Sequence, residues 1–255
     1  FSHADYQVDF ANFHEHLVNG EFSKLVLSRS VDIKRKPGLT AISLFAEACR
    51  RYPRVMVALV STPQAGTWLT ATPEILLSGS GRFWQTMALA GTMPYSDKVQ
   101  WSDKNIQEQR YVATYVTEVL EHYTSDFTEH GPRTVRAAHL AHLRSDFHFT
   151  LSNTDRVGEL IQALHPTPAV CGLPKDEARQ FILANKHHDR RYYSGFMGPL
   201  SLHDTTHLYV TLRCMQLFNS HCRLYAGGGI LPESNEQLEW QETEAKLDTM
   251  RRLFQ

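Results

Sequence analysis

Apolar and polar residues recur along this chain at two periods, and the switches between them mark its elements. Apolar positions at helical spacing predict a helix over 4–19, stopped by Gly20, which tolerates the positive φ that follows a helix. A strand follows over 24–29, a helix over 39–52 and a buried strand over 54–61. Residues 68–78 read as two strands broken at Thr72-Pro73-Glu74, because proline cannot donate to a ladder. Two long helices are predicted. One runs from a Ser102 cap to about Tyr123, with Val112, Val116, Val119 and Tyr123 as its apolar stripe. The other covers 235–254 and ends the chain. Strands at 134–143 and 146–151 lie between them, with shorter helices at 154–164 and 174–185. Residues 207–218 and 221–226 read as a hairpin turning at Asn219-Ser220. Hairpin-linked strands with inserted helices predict an α+β protein with antiparallel sheets covered by helices. The regular βαβ alternation of a doubly wound fold is missing, and no linker divides residues 1–255.

Hydrophobic residues make up 42% of the chain, which suffices for a sizeable core without disulfides. The formal net charge of -1 gives no general attraction to nucleic acid or an anionic membrane, so an anionic ligand needs a local basic cluster. The four cysteines form no CxxC pair and read as small core residues of a reducing compartment. No stretch approaches the roughly 18 apolar residues of a membrane helix, and no signal peptide is visible, so a cytoplasmic location is expected.

Candidate chemistry concentrates on the two long helices. Glu239, Glu242 and Lys246 share one face of the last helix with Met250 and Leu253, which turns them inward. A solvated face, with Glu242 and Lys246 as an ordinary i,i+4 pair, explains the same spacing. Glu108 borders the apolar stripe of the other helix; two carboxylates from different helices suit a hard divalent cation, although the helix dipole alone also favours a first-turn glutamate. Gly227-Gly228-Gly229 reads either as an anion-binding nest or as a tight turn. Arg213 interrupts an apolar strand, sharing a face with Tyr209 and Thr211, and needs an anionic partner from a ligand or from the protein. Lys24 reads as a strand-edge lysine or as a desolvated base. The histidines point nowhere: His14/His16 and His187/His188 look superficial, and His142 and His165 fit a hydrogen-bonded core.

Taken in order, KLVLSR (24–29), ATPEILL (71–77), AGT (90–92), KNIQEQ (104–109), LHPTPAVCG (164–172), VTLRC (210–214), YAGGGI (225–230) and EWQETEAKL (239–247) resemble the chorismate-utilising enzymes. That family comprises isochorismate, salicylate, anthranilate and aminodeoxychorismate synthases. The resemblance implies an anthranilate-synthase-like fold of two antiparallel β-sheets packed together and flanked by helices, with the family's N-terminal part shortened here. Within the family, lysine at Lys24 is typical of members that add water rather than ammonia. Alanine at Ala90 departs from the aminodeoxychorismate synthases, and Ala169 matches isochorismate synthases.

The implied activity is magnesium-dependent isochorismate synthesis, feeding menaquinone or siderophore production, in a monomer with no amidotransferase subunit. A salicylate synthase, a silent chorismate-binding domain and an amidotransferase partner are the competing readings. The implied roles are Lys24 as base, Glu74 as acid, and Glu108 and Glu242 as direct Mg2+ ligands with Glu239 acting through water. Arg213, Gly227 and Tyr193 would hold the pyruvyl carboxylate; His142, Ala169 and Lys246 would line the pocket. Asn105 and Gln109 depart from the family's usual acid and histidine: Asn105 lowers the local negative charge and is expected to weaken metal affinity, and Gln109 can hydrogen-bond but cannot exchange protons.

Overall fold

The computed structural model describes residues 2–201 and 203–255. Its helices are α1 (His3–Val18), α2 (Ala41–Arg51), α3 (Asp103–Glu121), α4 (Val157–Leu164), α5 (Lys175–Asn185) and α6 (Glu236–Arg251). The strands are β1 (Lys24–Lys34), β2 (Met56–Thr62), β3 (Gly66–Thr72), β4 (Ile75–Ser80), β5 (Phe83–Pro94) and β6 (Phe127–Ala137), then β7 (Leu140–Thr150), β8 (Gly172–Leu173), β9 (Phe196–Met197), β10 (Thr206–Val210), β11 (Cys214–Leu217) and β12 (His221–Ile230). They form two six-stranded sheets, ordered β2-β3-β11-β12-β1-β8 and β6-β7-β5-β4-β10-β9. The pairings among the described residues are antiparallel, as the sequence predicts.

Each sheet has its own helical cover. Val112, Ala113, Val116 and Leu120 of α3 pack with α4 on β4, β5 and β7. Leu247 and Met250 of α6 pack with Leu44 and Ala48 of α2 on β3, β11 and β12. Tyr6, Phe10, Phe13 and Leu17 of α1 meet Leu25 and Leu27 of β1, with Ala178 and Ile182 of α5 alongside. Because side chains alternate across a strand, Leu25 and Leu27 in that core put Lys24 and Val26 on the opposite face. The helix starts are capped locally: Ser102 Oγ accepts from the Asn105 amide at 3.2 Å, and Asn235 Oδ1 from the Leu238 amide at 3.2 Å.

Five elements depart from the sequence reading. The strand expected to be buried over 54–61 is β2, half-buried because it forms a sheet edge. β5 was not legible: covered on both faces near its centre, it lacks the alternation that marks a half-buried strand. The hairpin after α3 turns at Ala138-His139, with Ala138 at φ 56, rather than near Arg144. Arg144 instead lies inside β7, where it and Arg133 pair with Asp146 and make a polar stretch tolerable. The glycines 227–229 form neither a nest nor a turn; they lie within β12. Finally, 207–218 is not one strand. β10 belongs to one sheet and β11 to the other, so Arg213 leaves the strand face shared with Tyr209 and sits at the switch, with φ 47.

The chain makes the same switch between β3 and β4, at Pro73-Glu74. The two switches run side by side. The Val210 amide donates to the Glu74 carbonyl at 2.9 Å, and the Ala71 amide donates to the Arg213 carbonyl at 3.0 Å. Thr72 Oγ1 donates to the Val210 carbonyl at 2.6 Å, and Thr70 Oγ1 to that of Leu212 at 2.7 Å. Backbone groups with no ladder partner are thereby satisfied inside the protein, and Glu74 and Arg213 are fixed at the seam between the sheets.

Candidate active site

A cleft of about 560 Å3, counted to its mouth, opens at this seam. Glu74 and Arg213 line it from the switches, Ala90 to Thr92 from β5, His142 from β7, Gly227 and Gly229 from β12, Glu108 from α3 and Lys246 from α6. Ala169 and Tyr193 complete the wall from the loops flanking α5. Gly91, at φ 76, lies where β5 slips register against β7, and its freed carbonyl accepts from His142 Nδ1 at 2.8 Å.

Lys24 is fully buried, so it is no edge lysine. Its Nζ lies 3.1 Å from Glu108 Oε1, yet makes no aligned hydrogen bond to it, which leaves an attractive charge nearby and donors or a lone pair for a ligand. Gly229 permits that approach. A Cβ there would overlap Glu108 Oε1 and lie 2.6 Å from Lys24 Cε. Gly227 does the same for Tyr193, whose hydroxyl is 2.7 Å from where a Cβ would stand.

The charged face of α6 points inward, as its neighbouring apolar stripe implied. Glu239 is buried, and Glu242 Oε1 takes a 2.6 Å ion pair from Lys246, which also donates to the Gly227 carbonyl at 2.8 Å. Lys104, to which the sequence reading gave no role, closes the group. Its ammonium lies 3.1 Å from Glu108 Oε2, 3.0 Å from Glu239 Oε1 and 2.8 Å from the Gly229 carbonyl. The sequence signal was present, since Lys104 and Glu108 are an i,i+4 pair, but such pairs are ordinarily solvated. Gln109 is turned away from the cluster: it donates to Ser145 Oγ at 3.0 Å and the Ala88 carbonyl at 3.3 Å, clamping α3 to its sheet. His188 is half-buried rather than superficial and lies 2.6 Å from the Ser28 carbonyl.

Burial sets the protonation states. It pushes Glu74 up to about 7 despite the pull of Lys24, Arg213 and Lys246, so this carboxyl can hold a proton near neutrality. Burial also lowers the Lys24 amine, with the Glu108 charge opposing. For Glu108 itself burial is outweighed by the ammonium groups of Lys104, Lys24 and Lys246, which hold it well below the usual carboxylate range. The result is one site containing a carboxyl that retains its proton, an amine that releases one easily and, beside them, a carboxylate cluster in which Glu108 is ionised while burial pushes Glu239 up to about 7.

That cluster suits a hard divalent ion by its donors, which are all oxygen. Glu239 Oε2 is buried without a hydrogen-bond partner. It and Glu242 Oε1 each lie 3.5 Å from the point where a Gly228 Cβ would stand, so a missing side chain leaves both carboxylates access to one space. Among the described residues no three Glu, Asp, His or Cys side chains close into a finished metal shell; the Lys104 ammonium fills the gap between Glu108 and Glu239.

A family model described as chorismate binding enzyme matches residues 1–255. The chain belongs to the chorismate-binding enzyme family. Its relatives within that family include isochorismate synthase EntC of Escherichia coli K12, 29% identical over 245 residues, which cover 92% of this chain and 63% of EntC. The chain thus spans less than two thirds of that relative's length. The crystal structure of Bacillus anthracis DhbC superposes with a TM-score of 0.93 at 30% identity, covering 99% of this chain and 72% of that one. Anthranilate synthase component I of Streptococcus pneumoniae TIGR4 shares the fold, with a TM-score of 0.85 at 20% identity over 98% of this chain and 58% of that one. The expected architecture of two antiparallel sheets with flanking helices is therefore the chorismate-binding fold. Among the described residues no helix is long and apolar enough to cross a membrane.

Proposed function

We propose that this chain carries the catalytic core of an isochorismate synthase, which adds water at C2 of chorismate and expels the C4 hydroxyl. The observation that carries the reading is a buried carboxyl with raised proton affinity, Glu74, lining the cleft, and within reach of its charge a buried amine with lowered affinity, Lys24, set behind the cleft-lining Glu108 at 3.1 Å. Neutral Lys24 takes a proton from water as its oxygen bonds to C2. The two ring double bonds each shift by one position, and protonated Glu74 gives its proton to the hydroxyl leaving C4, which departs as water. The net change is a moved hydroxyl, and each proton taken by Lys24 is matched by one given by Glu74.

Arg213 and Lys246 offer the positive charge that a dicarboxylate needs, with Tyr193 and the Gly227 backbone beside them. Magnesium, when bound, supplies a positive centre that orients the ring carboxylate and offsets its charge. Glu108 and Glu242 would hold it directly, with Glu239, whose Oε2 opens with Glu242 Oε1 onto the space beside Gly228, acting through water, the roles the family resemblance implies.

Water rather than ammonia as nucleophile is supported by Lys24, a base where amination needs none, and by the relative's name, isochorismate synthase. Chromatography of chorismate incubated with the protein, with and without Mg2+, tests the proposal. Isochorismate formed only with the metal and without pyruvate is the expected result; pyruvate release without an added lyase points to salicylate synthesis, and no turnover to a binding domain.

A further inference from the structure

Arg190 lies in the loop after α5 that also carries Tyr193, and the proposed reaction gives it no part. Its half-buried side chain donates to three separate segments. On β1, the Val26 carbonyl accepts from Nη2 at 2.7 Å and Ser28 Oγ from Nε at 2.9 Å. In the loop before β8, the Val170 carbonyl accepts from Nη1 at 2.7 Å, and in its own loop Ser194 Oγ accepts from Nη1 at 3.3 Å. Every one of these acceptors is neutral, and among the described residues no carboxylate pairs with the charge. What the residue contributes is thus the planar fork, with donors fixed in several directions, rather than a salt bridge.

Each tied segment carries a residue of the proposed site. Val26 shares a strand face with Lys24, two residues away. Val170 follows Ala169 and Ser194 follows Tyr193, and both Ala169 and Tyr193 line the inner cleft. The Arg190 carbonyl also accepts from the Tyr193 amide at 2.9 Å. The wall so formed is thin: a second cleft, of about 1360 Å3 counted to its mouth, opens behind it and is lined by Val170, Arg190 and Tyr193. Tyr193 stacks on Tyr225 with ring centres 5.9 Å apart, but a wall with open space on two sides is not held in place by packing alone. Backbone bonds join the same parts, the Val26 amide donating to the Cys171 carbonyl at 2.7 Å and the Ser194 amide to the Thr211 carbonyl at 2.8 Å. Those bonds hold the fold; the guanidinium sets the spacing within it.

We propose that Arg190 is a positioning residue: it touches neither substrate nor reacting atoms, and its fork sets the distance between the β1 segment carrying Lys24 and the wall of Ala169 and Tyr193. A ring held against that wall is thereby presented to the base at attack distance. This rests on the reading of the chain as the core of an isochorismate synthase.

The test is chemical rescue. Wild type and Arg190→Ala are assayed for isochorismate formation with and without guanidinium chloride, far below the concentrations that unfold the chain, with NaCl as the ionic control. The variant should lose roughly 100-fold in kcat, the effect of misplacing a reacting group by an ångström. Its pH dependence should be that of wild type, since Arg190 contacts neither Lys24 nor Glu74. Free guanidinium, entering by the second cleft, should restore kcat several-fold without raising the melting temperature, and NaCl should not. Arg190→Lys should recover little, because an ammonium cannot donate along the directions of the fork. Wild-type kcat in Arg190→Ala, a displaced pH dependence, a folded variant that guanidinium does not rescue, or rescue that tracks a rise in melting temperature overturns the proposal. Should Arg190→Ala not fold, Ser28→Ala removes one acceptor on β1. A kcat several-fold lower at nearly unchanged melting temperature then supports the proposal, and wild-type kcat overturns it. A wild-type chain that forms no isochorismate overturns the functional reading itself, and this proposal with it.

Discussion

Arg213 donates a 2.8 Å hydrogen bond to Nε2 of His142, inside the protein and on the wall of the cleft. The other ring nitrogen, Nδ1, donates to the Gly91 carbonyl, so the ring is neutral with its proton on Nδ1. Burial and the Arg213 charge together hold its pKa well below the ordinary value. His142 therefore orients Arg213 rather than exchanging protons. His142→Phe should raise KM for chorismate by roughly 10- to 100-fold, the loss expected for a buried hydrogen bond to a charged group, with a smaller change in kcat. Steady-state kinetics check this. His142→Gln, which retains an acceptor, should recover part of the loss.

Lys24→Met and Glu74→Gln each remove a proton carrier while keeping volume. Either change should lower kcat by about 10²- to 10⁴-fold, the usual contribution of a positioned acid or base. Circular dichroism and melting should remain those of a folded chain. Near wild-type turnover in either variant removes that residue from the assigned chemistry.

The pH profile follows from the same two groups. In the proposed reaction turnover needs Glu74 protonated; its pKa is raised to about 7, so activity is expected to be lost as pH rises through that value. The proposed reaction also needs Lys24 unprotonated; its pKa is lowered, so activity is expected to be lost as pH falls through that lowered value. A bell-shaped kcat/KM profile is expected, with an alkaline limb near 7. Glu74→Asp should move the alkaline limb and leave the acid limb in place; an unmoved alkaline limb assigns it to another group.

Gly229→Ala adds one methyl group where Glu108 and Lys24 meet. Overpacking of this kind costs about 1–3 kcal/mol, and the displaced amine should lower turnover at least tenfold or so, since misplacement of a reacting group by an ångström has that effect or more. Melting and kinetics together check it. By contrast Gly20→Ala, where nothing lies within 4 Å of the new Cβ but φ is 77, should cost stability and not turnover.

The helices were legible because their evidence is local. The cap at Ser102 and the stripe of Val112 and Val116 are patterns within a few residues, and they appear in the structure where the spacing placed them. The family was legible too, since its motifs recur in order along the chain and survive without knowledge of how they meet. Most of the proposed site residues line the one cleft or the carboxylate cluster beside it.

What the sequence by itself determined is thus the alternation of elements, the antiparallel α+β class and the residue types available for the proposed chemistry. Only the tertiary structure decided that 207–218 divides between two sheets, that Glu74 and Arg213 share a seam, and that Lys104 stands between Glu108 and Glu239. Each of these depends on groups far apart along the chain, such as Lys104 and the carbonyl of Gly229. A charge reads the same in sequence whether it faces water or protein; its protonation and its partners are fixed by burial, and burial is created when distant segments pack.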